Sequence, residues 1–150
     1  MTEMTAAMQP DPIRHAEFYD GILFKRFMAW VFDLVLIVLL TAVVVPLTAF
    51  TALFFLPVLF LAIGFLYRWI TLSGRSATWG MRILRIEFCD RQGLRFDSGT
   101  ALLWTLGYSL SMAFLLPQLL SIVLMFLSQR RQGLTDHLLG TVAINSPAQR

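Results

Sequence analysis

From Leu34 to Tyr67 the chain carries no Asp, Glu, Lys or Arg, and the same is true from Ser98 to Gln129. A membrane-spanning helix takes about 20 apolar residues. The first run therefore predicts two spans, about 27–45 and 50–71, and the second predicts a third apolar region, about 99–128. Pro46, Leu47 and Thr48 are expected to close the first span, because proline lacks the N–H that continues a helix. Pro57 falls inside the second span and is expected to kink it, which membrane helices tolerate when neighbours satisfy the freed carbonyl. The third region contains Pro117. As one helix it would be about 45 Å long, well beyond the ~30 Å hydrocarbon core. A break at "LLPQLL" would give arms of roughly 24 and 16 Å, a shallow or re-entrant hairpin. That reading is preferred over one long tilted helix.

Between the apolar runs the pattern changes. In "ILRIEF", Ile83, Arg85 and Glu87 alternate with Leu84, Ile86 and Phe88, a period of two that argues a strand. "CDRQG" supplies turn residues, and "LRF" would be the returning strand of a small β-hairpin. "TVAI" near the C-terminus is rich enough in β-branched residues to be a strand as well, and it is an alternative partner for "LRIEF" in one small sheet. Residues 1–20 mix polar groups, acids and prolines without an apolar period and predict a mobile tail. Residues 146–150 form a second short tail.

Composition strengthens the membrane assignment. Of 150 residues, 57% are hydrophobic and 14% charged, whereas a soluble domain carries about 25% charged residues. The expected fold class is an all-α polytopic membrane protein. It has two transmembrane helices, the third apolar region, and a small cytoplasmic β-hairpin or sheet. A secretory signal fits poorly, because its apolar core is only about 7–15 residues and follows a short basic start. Charge sets the orientation, since Lys and Arg concentrate in cytoplasmic loops. Lys25 and Arg26 precede the first span. Arg75, Arg82, Arg85, Arg91 and Arg95 fill the loop at 73–97, and Arg130 and Arg131 follow the third region. The turn at 46–49 has no charge. N-terminus, loop and C-terminus are all expected in the cytoplasm, which requires an even number of crossings. The loop arginines alternate with acids and point to anionic lipid headgroups rather than to nucleic acid. Cys89 is the single cysteine, so no intrachain disulfide is available to it; it is expected as a plain thiol in the charged loop.

Three residues stand out as candidate chemistry. Arg26 and Asp33 lie two helical turns apart, on one face and about 10.5 Å apart along the axis. Trp30, between them, is placed to stack on the guanidinium or to sit in the interfacial belt. Arg26 can reach the headgroups, but Asp33 is two turns inside an apolar segment. Insertion of an acid at a span centre costs about 2.5–3.5 kcal/mol, so Asp33 needs a partner, water or a proton. It is read either as an interhelical polar clamp or as an ion or proton site. Asp136, in "RRQGLTDHLLGT", is expected to partner a basic group near the membrane face. Asp136 and His137 alone do not make a metal site, and no cofactor motif is visible. No Ser-His-Asp set, HExxH pattern or Gly-rich phosphate loop appears, so an enzyme is not expected.

The residues in "KRFMAWVFDLVL" and "RRQGLTDHLLGT" resemble the RDD family of bacterial membrane proteins, which is named for one arginine and two aspartates. Arg26, Asp33 and Asp136 stand at the matching positions, and "SATWGMRILRIEFCDRQGLRF" is similar to the family's central loop. The resemblance covers about residues 20–145. Met81 and Thr135 depart from it, where a basic residue and a histidine are usual. The resemblance implies a bacterial multi-pass membrane protein of poorly defined function, with cation/proton exchange or transport of small solutes among the suggestions. On that reading Asp33 binds a cation or proton, Arg26 and Asp136 hold the cytoplasmic mouth, and a homo-oligomer completes the pathway. The alternative is a membrane-embedded scaffold that docks a membrane protein partner, with the three residues as a structural lock.

Overall fold

The computed structural model describes residues 9–146. The first apolar segment forms helix α1, Ile22–Leu47, preceded by Gly21 in the left-handed region at φ 64°. Its buried residues Ile22, Ala29, Asp33, Ile37, Thr41 and Val45 recur at helical spacing and form one stripe. Phe32, Val35, Val38, Leu39 and Val43 stay exposed on the rest of its surface, as expected of a helix whose outer face meets lipid chains. Pro46 sits within the last turn of α1, and the helix stops at Leu47. Ala49 and Phe50 then reverse the chain with positive φ, and a 3-10 turn, Thr51–Phe55, leads into α2, Leu56–Arg75. Pro57 lies in the first turn of α2 rather than within a longer helix, so it starts α2 instead of kinking it. Its missing N–H has no intrahelical partner to lose there. Both α1 and α2 are long and apolar enough to cross a membrane.

The third apolar region breaks into α4, Ser98–Ala113, and α5, Leu115–Leu127, bent by 115°. The break falls slightly before Pro117, for a simple reason. A proline ring collides with the carbonyl four residues earlier, and that residue is Ala113, the last of α4. Phe114 is extended, at φ −123° and ψ 132°. At 1.5 Å per residue the arms are about 24 and 20 Å long, each short of a full crossing. The chain then returns through α6, Leu134–Leu139, which packs beside α4. The pair thus ends at the end of the molecule where it began.

That end also holds the sheet. Strand β1, Ile86–Cys89, pairs antiparallel with β2, Val142–Asn145, placing Phe88 opposite Ala143 and Cys89 opposite Val142. The hairpin partner "LRF" is not a strand. The Asp90 side chain accepts the N–H groups of Gln92 and Leu94, at 2.8 and 2.9 Å, and closes a tight turn with Gly93 at φ 76°. The Phe96 N–H is drawn off to the Ser76 hydroxyl. The strand edge of β1 is therefore left to "TVAI". A short helix, α3, Trp79–Ile83, links α2 to β1 and packs on α1. Cys89, expected in a charged loop, is a buried strand residue.

The main buried cluster, including Ile22, Leu72, Met81, Ile86, Phe88 and Trp104, lies at this sheet end. Residues 9–20, expected as part of a mobile tail, are docked on it. Gln9 donates to the carbonyls of Asp90 and Gly140, and the Tyr19 hydroxyl donates to Pro10 O at 2.7 Å. Asn145 donates to Glu17 O and Asp20 O and accepts from Lys25. Polar side chains here satisfy backbone groups, and buried Tyr19 joins the packing of Val142 and Ile144. Residues 1–8 of that tail and the C-terminal 147–150 lie outside the described residues.

Candidate functional site

Arg26 and Asp33 share a face of α1, yet they serve different partners. The Arg26 Nη1 group reaches across the bundle end to Asp136 Oδ2 at 2.7 Å, and it also donates to Arg131 O at 3.1 Å. The Arg26 side chain is 13% exposed and that of Asp136 only 1%, so the pair is largely removed from water. Trp30 does not stack on Arg26. Its ring N–H donates to the Tyr108 hydroxyl at 2.9 Å, and the guanidinium lies instead over the Phe88 ring, 5.3 Å from its centre. Strand β1 delivers Phe88 to that position.

Asp136 has a complete set of donors. Its Oδ2 also accepts the Gly133 N–H at 3.1 Å, reaching back to the start of α6. Its Oδ1 accepts the Trp104 ring N–H at 2.8 Å and the Thr141 hydroxyl at 2.9 Å. One carboxylate therefore binds together α1, α4, α6 and the start of β2. The close approach of α6 to α4 depends on Gly107, where an added Cβ would lie 2.7 Å from Thr135 Cγ2.

Asp33 is caged separately. Its Oδ1 accepts the Tyr67 hydroxyl at 2.6 Å and the Gly80 N–H at 2.9 Å, and its Oδ2 accepts the Thr78 hydroxyl at 2.6 Å. The residue is 4% exposed. Thr78 is the N-cap of α3, and its hydroxyl also accepts the Met81 N–H. Gly80 is required by contact: a Cβ there would run into the Ala29 carbonyl and lie 2.9 Å from Asp33 Oδ1. The clamp thus joins α1 to α2 and to the α3 turn.

The two cages open onto one cavity of about 440 Å³, whose lining includes Arg26, Asp33, Arg68 and Asp136. Helix α5 packs chiefly on α4 and α6, and the space left between α5 and α1 is this cavity. Tyr67, Thr78, Gly80, Trp104 and Thr141 were not legible as members of the site. Only Thr78 carries a local signal, as a threonine placed to cap a short helix. Among the described residues no group of three or more His, Cys, Asp or Glu side chains is arranged to hold a metal.

A family model described as the RDD family matches residues 21–140 of the chain. No curated protein and no solved structure matches it.

Proposed function

The chain belongs to the RDD family, and from that premise we propose that it is a membrane-embedded binding module in which Arg26, Asp33 and Asp136 are structural locks. The observation that carries this reading is the set of protein donors around each carboxylate, four on Asp136 and three on Asp33. A carboxylate whose oxygens accept several fixed protein hydrogen bonds has those bonds met without a mobile counterion. The Tyr67 and Thr78 hydroxyls donate to Asp33 and in turn accept the Trp79 and Met81 N–H groups, and the Gly80 N–H has no acceptor to offer, so the cage is made of protein hydrogen bonds alone. The locks join α1, α2, α4 and α6 and leave the cavity between α1 and α5 as the place for a ligand.

The expected setting is the bacterial inner membrane, with both ends of the chain cytoplasmic. Support comes from the sheet end, which gathers the first turn of α1, the end of α2, the loop and the C-terminal strand. The arginines of those segments therefore share one side, as the positive-inside rule requires. The turn between α1 and α2, with no charged residue, lies at the far end. Anionic headgroups are the expected contact of that basic end.

A second reading, cation/proton exchange through Asp33, is favoured by one observation: Asp33 and Asp136 line the same cavity. Thermal unfolding of the purified protein and of Asp33→Asn separates the two. The lock reading expects Asp33→Asn to melt earlier by the same margin in sodium, potassium or choline chloride. A wild-type melting temperature raised by one of these cations, with the rise abolished in Asp33→Asn, would overturn it.

A further inference from the structure

We propose that the cavity between α1 and α5 holds one anionic phospholipid drawn from the surrounding bilayer, with its phosphate on Arg68. This deepens the binding-module reading and rests on the cages being fixed. Four charged side chains line the cavity: Arg26, Asp33, Arg68 and Asp136. Three are committed, Arg26 to Asp136 and Asp33 to its three donors. Arg68 is the exception. Its Nη1 donates to Gly64 O at 3.2 Å, and its guanidinium lies over the Tyr108 ring, 4.6 Å from the centre. Among the described residues the ion pairs are Arg26–Asp136 and Arg95–Glu87, so Arg68 faces the cavity without a carboxylate.

A guanidinium has five N–H donors in a planar fork that fits a phosphate. Placed within a span, such a cation is costly, and a bound anion offsets that cost. Gln118, across the cavity, accepts the Ser111 hydroxyl through its Oε1, so its amide N–H groups are donors toward the same space. Most of the remaining wall is apolar, including Phe27, Met112, Ile122, Met125 and Phe126. Phe27, Ile122 and Phe126 are also exposed on the outer surface, so the mouth opens sideways toward lipid chains. A mouth of this kind admits an acyl chain and disfavours a free hydrated phosphate. The volume of about 440 Å³ falls within the roughly 300–1,000 Å³ usual for a small-molecule site, enough for a headgroup phosphate and the first part of one chain.

Native mass spectrometry of the purified protein tests this, with dioleoyl phosphatidylglycerol and dioleoyl phosphatidylcholine supplied equally. Both lipids carry the phosphate, but phosphatidylcholine adds a quaternary ammonium that the Arg68 guanidinium repels, and the wild type is expected to retain phosphatidylglycerol by about tenfold. Arg68→Gln is expected to bring the ratio near one, and Arg68→Lys, which keeps charge without the fork, to fall between. Arg75→Gln, exposed at the end of the same helix, is expected to leave the ratio unchanged. Equal retention of the two lipids by the wild type would overturn the proposal, as would equal loss of preference in Arg75→Gln and Arg68→Gln. Displacement of bound phosphatidylglycerol by millimolar glycerol phosphate would also overturn it, because the site would then be one for a free anion. If Arg68→Gln does not fold, the wild-type ratio and the Arg68→Lys ratio decide. Equal lipid retention leaves the cages standing, whereas cation-dependent melting removes the cages and leaves the lipid preference, so the two failures are told apart.

Discussion

Replacing Arg26 with methionine tests the larger of the two locks. The substitution keeps much of the side-chain volume and removes the charge from a contact of 2.7 Å to Asp136, whose side chain is 1% exposed. Breaking a buried ion pair on one side costs about 3–5 kcal/mol, because the other charge stays buried without its partner. Asp136 keeps three neutral donors, from Gly133, Trp104 and Thr141, so the loss is expected at the lower end, about 3 kcal/mol. For a chain of this size that is a fall in melting temperature of roughly 6–12 °C. Asp136→Asn alone leaves Arg26 with only the Arg131 carbonyl and the Phe88 ring and turns an amide NH2 group toward groups that donate to the carboxylate, so it is expected to cost at least as much, about 3–5 kcal/mol. The double variant is expected to be more stable than the sum of the two losses implies, by up to about 3 kcal/mol, the coupling of residues in direct contact. The assay is thermal unfolding in detergent, followed through exposure of the buried Cys89 thiol to a thiol-reactive dye. Losses that add to within about 0.5 kcal/mol would mean that the residues do not interact, and would refute the lock at the sheet end.

Gly80→Ala is expected to lower the melting temperature, because its Cβ would meet the Ala29 backbone and Asp33 Oδ1; overpacking of this kind costs about 1–3 kcal/mol. Gly74→Ala, with nothing near its added Cβ, is the matched control in the same assay. At the start of α4, the side chain and backbone N–H of Thr100 hold the Asp97 carboxyl below its ordinary range. A depressed folded value means that the ionised cap contributes fully above the ordinary value near 3.8 and fades as pH falls through the lowered one. Asn caps about as well as Asp, so Asp97→Asn is expected to remove this fading. Amide exchange at Thr100 between pH 5 and 3, compared for the two proteins, checks it; parallel curves would count against the assignment.

The apolar elements were legible because burial in lipid leaves a long, charge-free record in the sequence. Proline marked the break in the third region correctly, and the exact position followed from the collision with residue 113. Pro57 misled for a related reason: the sequence shows a proline amid apolar residues, and only the 3-10 turn before it makes it a helix start. Alternation over Ile83–Phe88 marked a strand, but only Ile86–Cys89 forms one: Ile83 ends α3 and Arg85 turns the chain at φ 56°. Its partner was left open between two segments. Local order favoured the near segment "LRF". The side chains of Asp90 and Ser76 took up its backbone groups, and the distant "TVAI" paired instead. The same limit applied to the site. Arg26, Asp33 and Asp136 drew attention as charges beside or within apolar sequence. Helical spacing put Arg26 and Asp33 on one face, but spacing within one helix says nothing about which other element supplies the partner. Tyr67, Trp104 and Thr141 carry no pattern of their own, and contacts across the bundle gave them their roles. Arg68 was visible only as a positive charge closing the second span; its place over Tyr108 is a tertiary fact.

The direct measurement of the central claim is proton flux in vesicles reconstituted with wild type, Asp33→Asn and Asp136→Asn, under imposed sodium or potassium gradients. Each flux is divided by the amount of folded protein. If the carboxylates are locks, the variants melt earlier and their flux per folded molecule equals that of the wild type. Cation-driven proton flux in the wild type that disappears in folded Asp33→Asn would contradict the account and make Asp33 the exchange site.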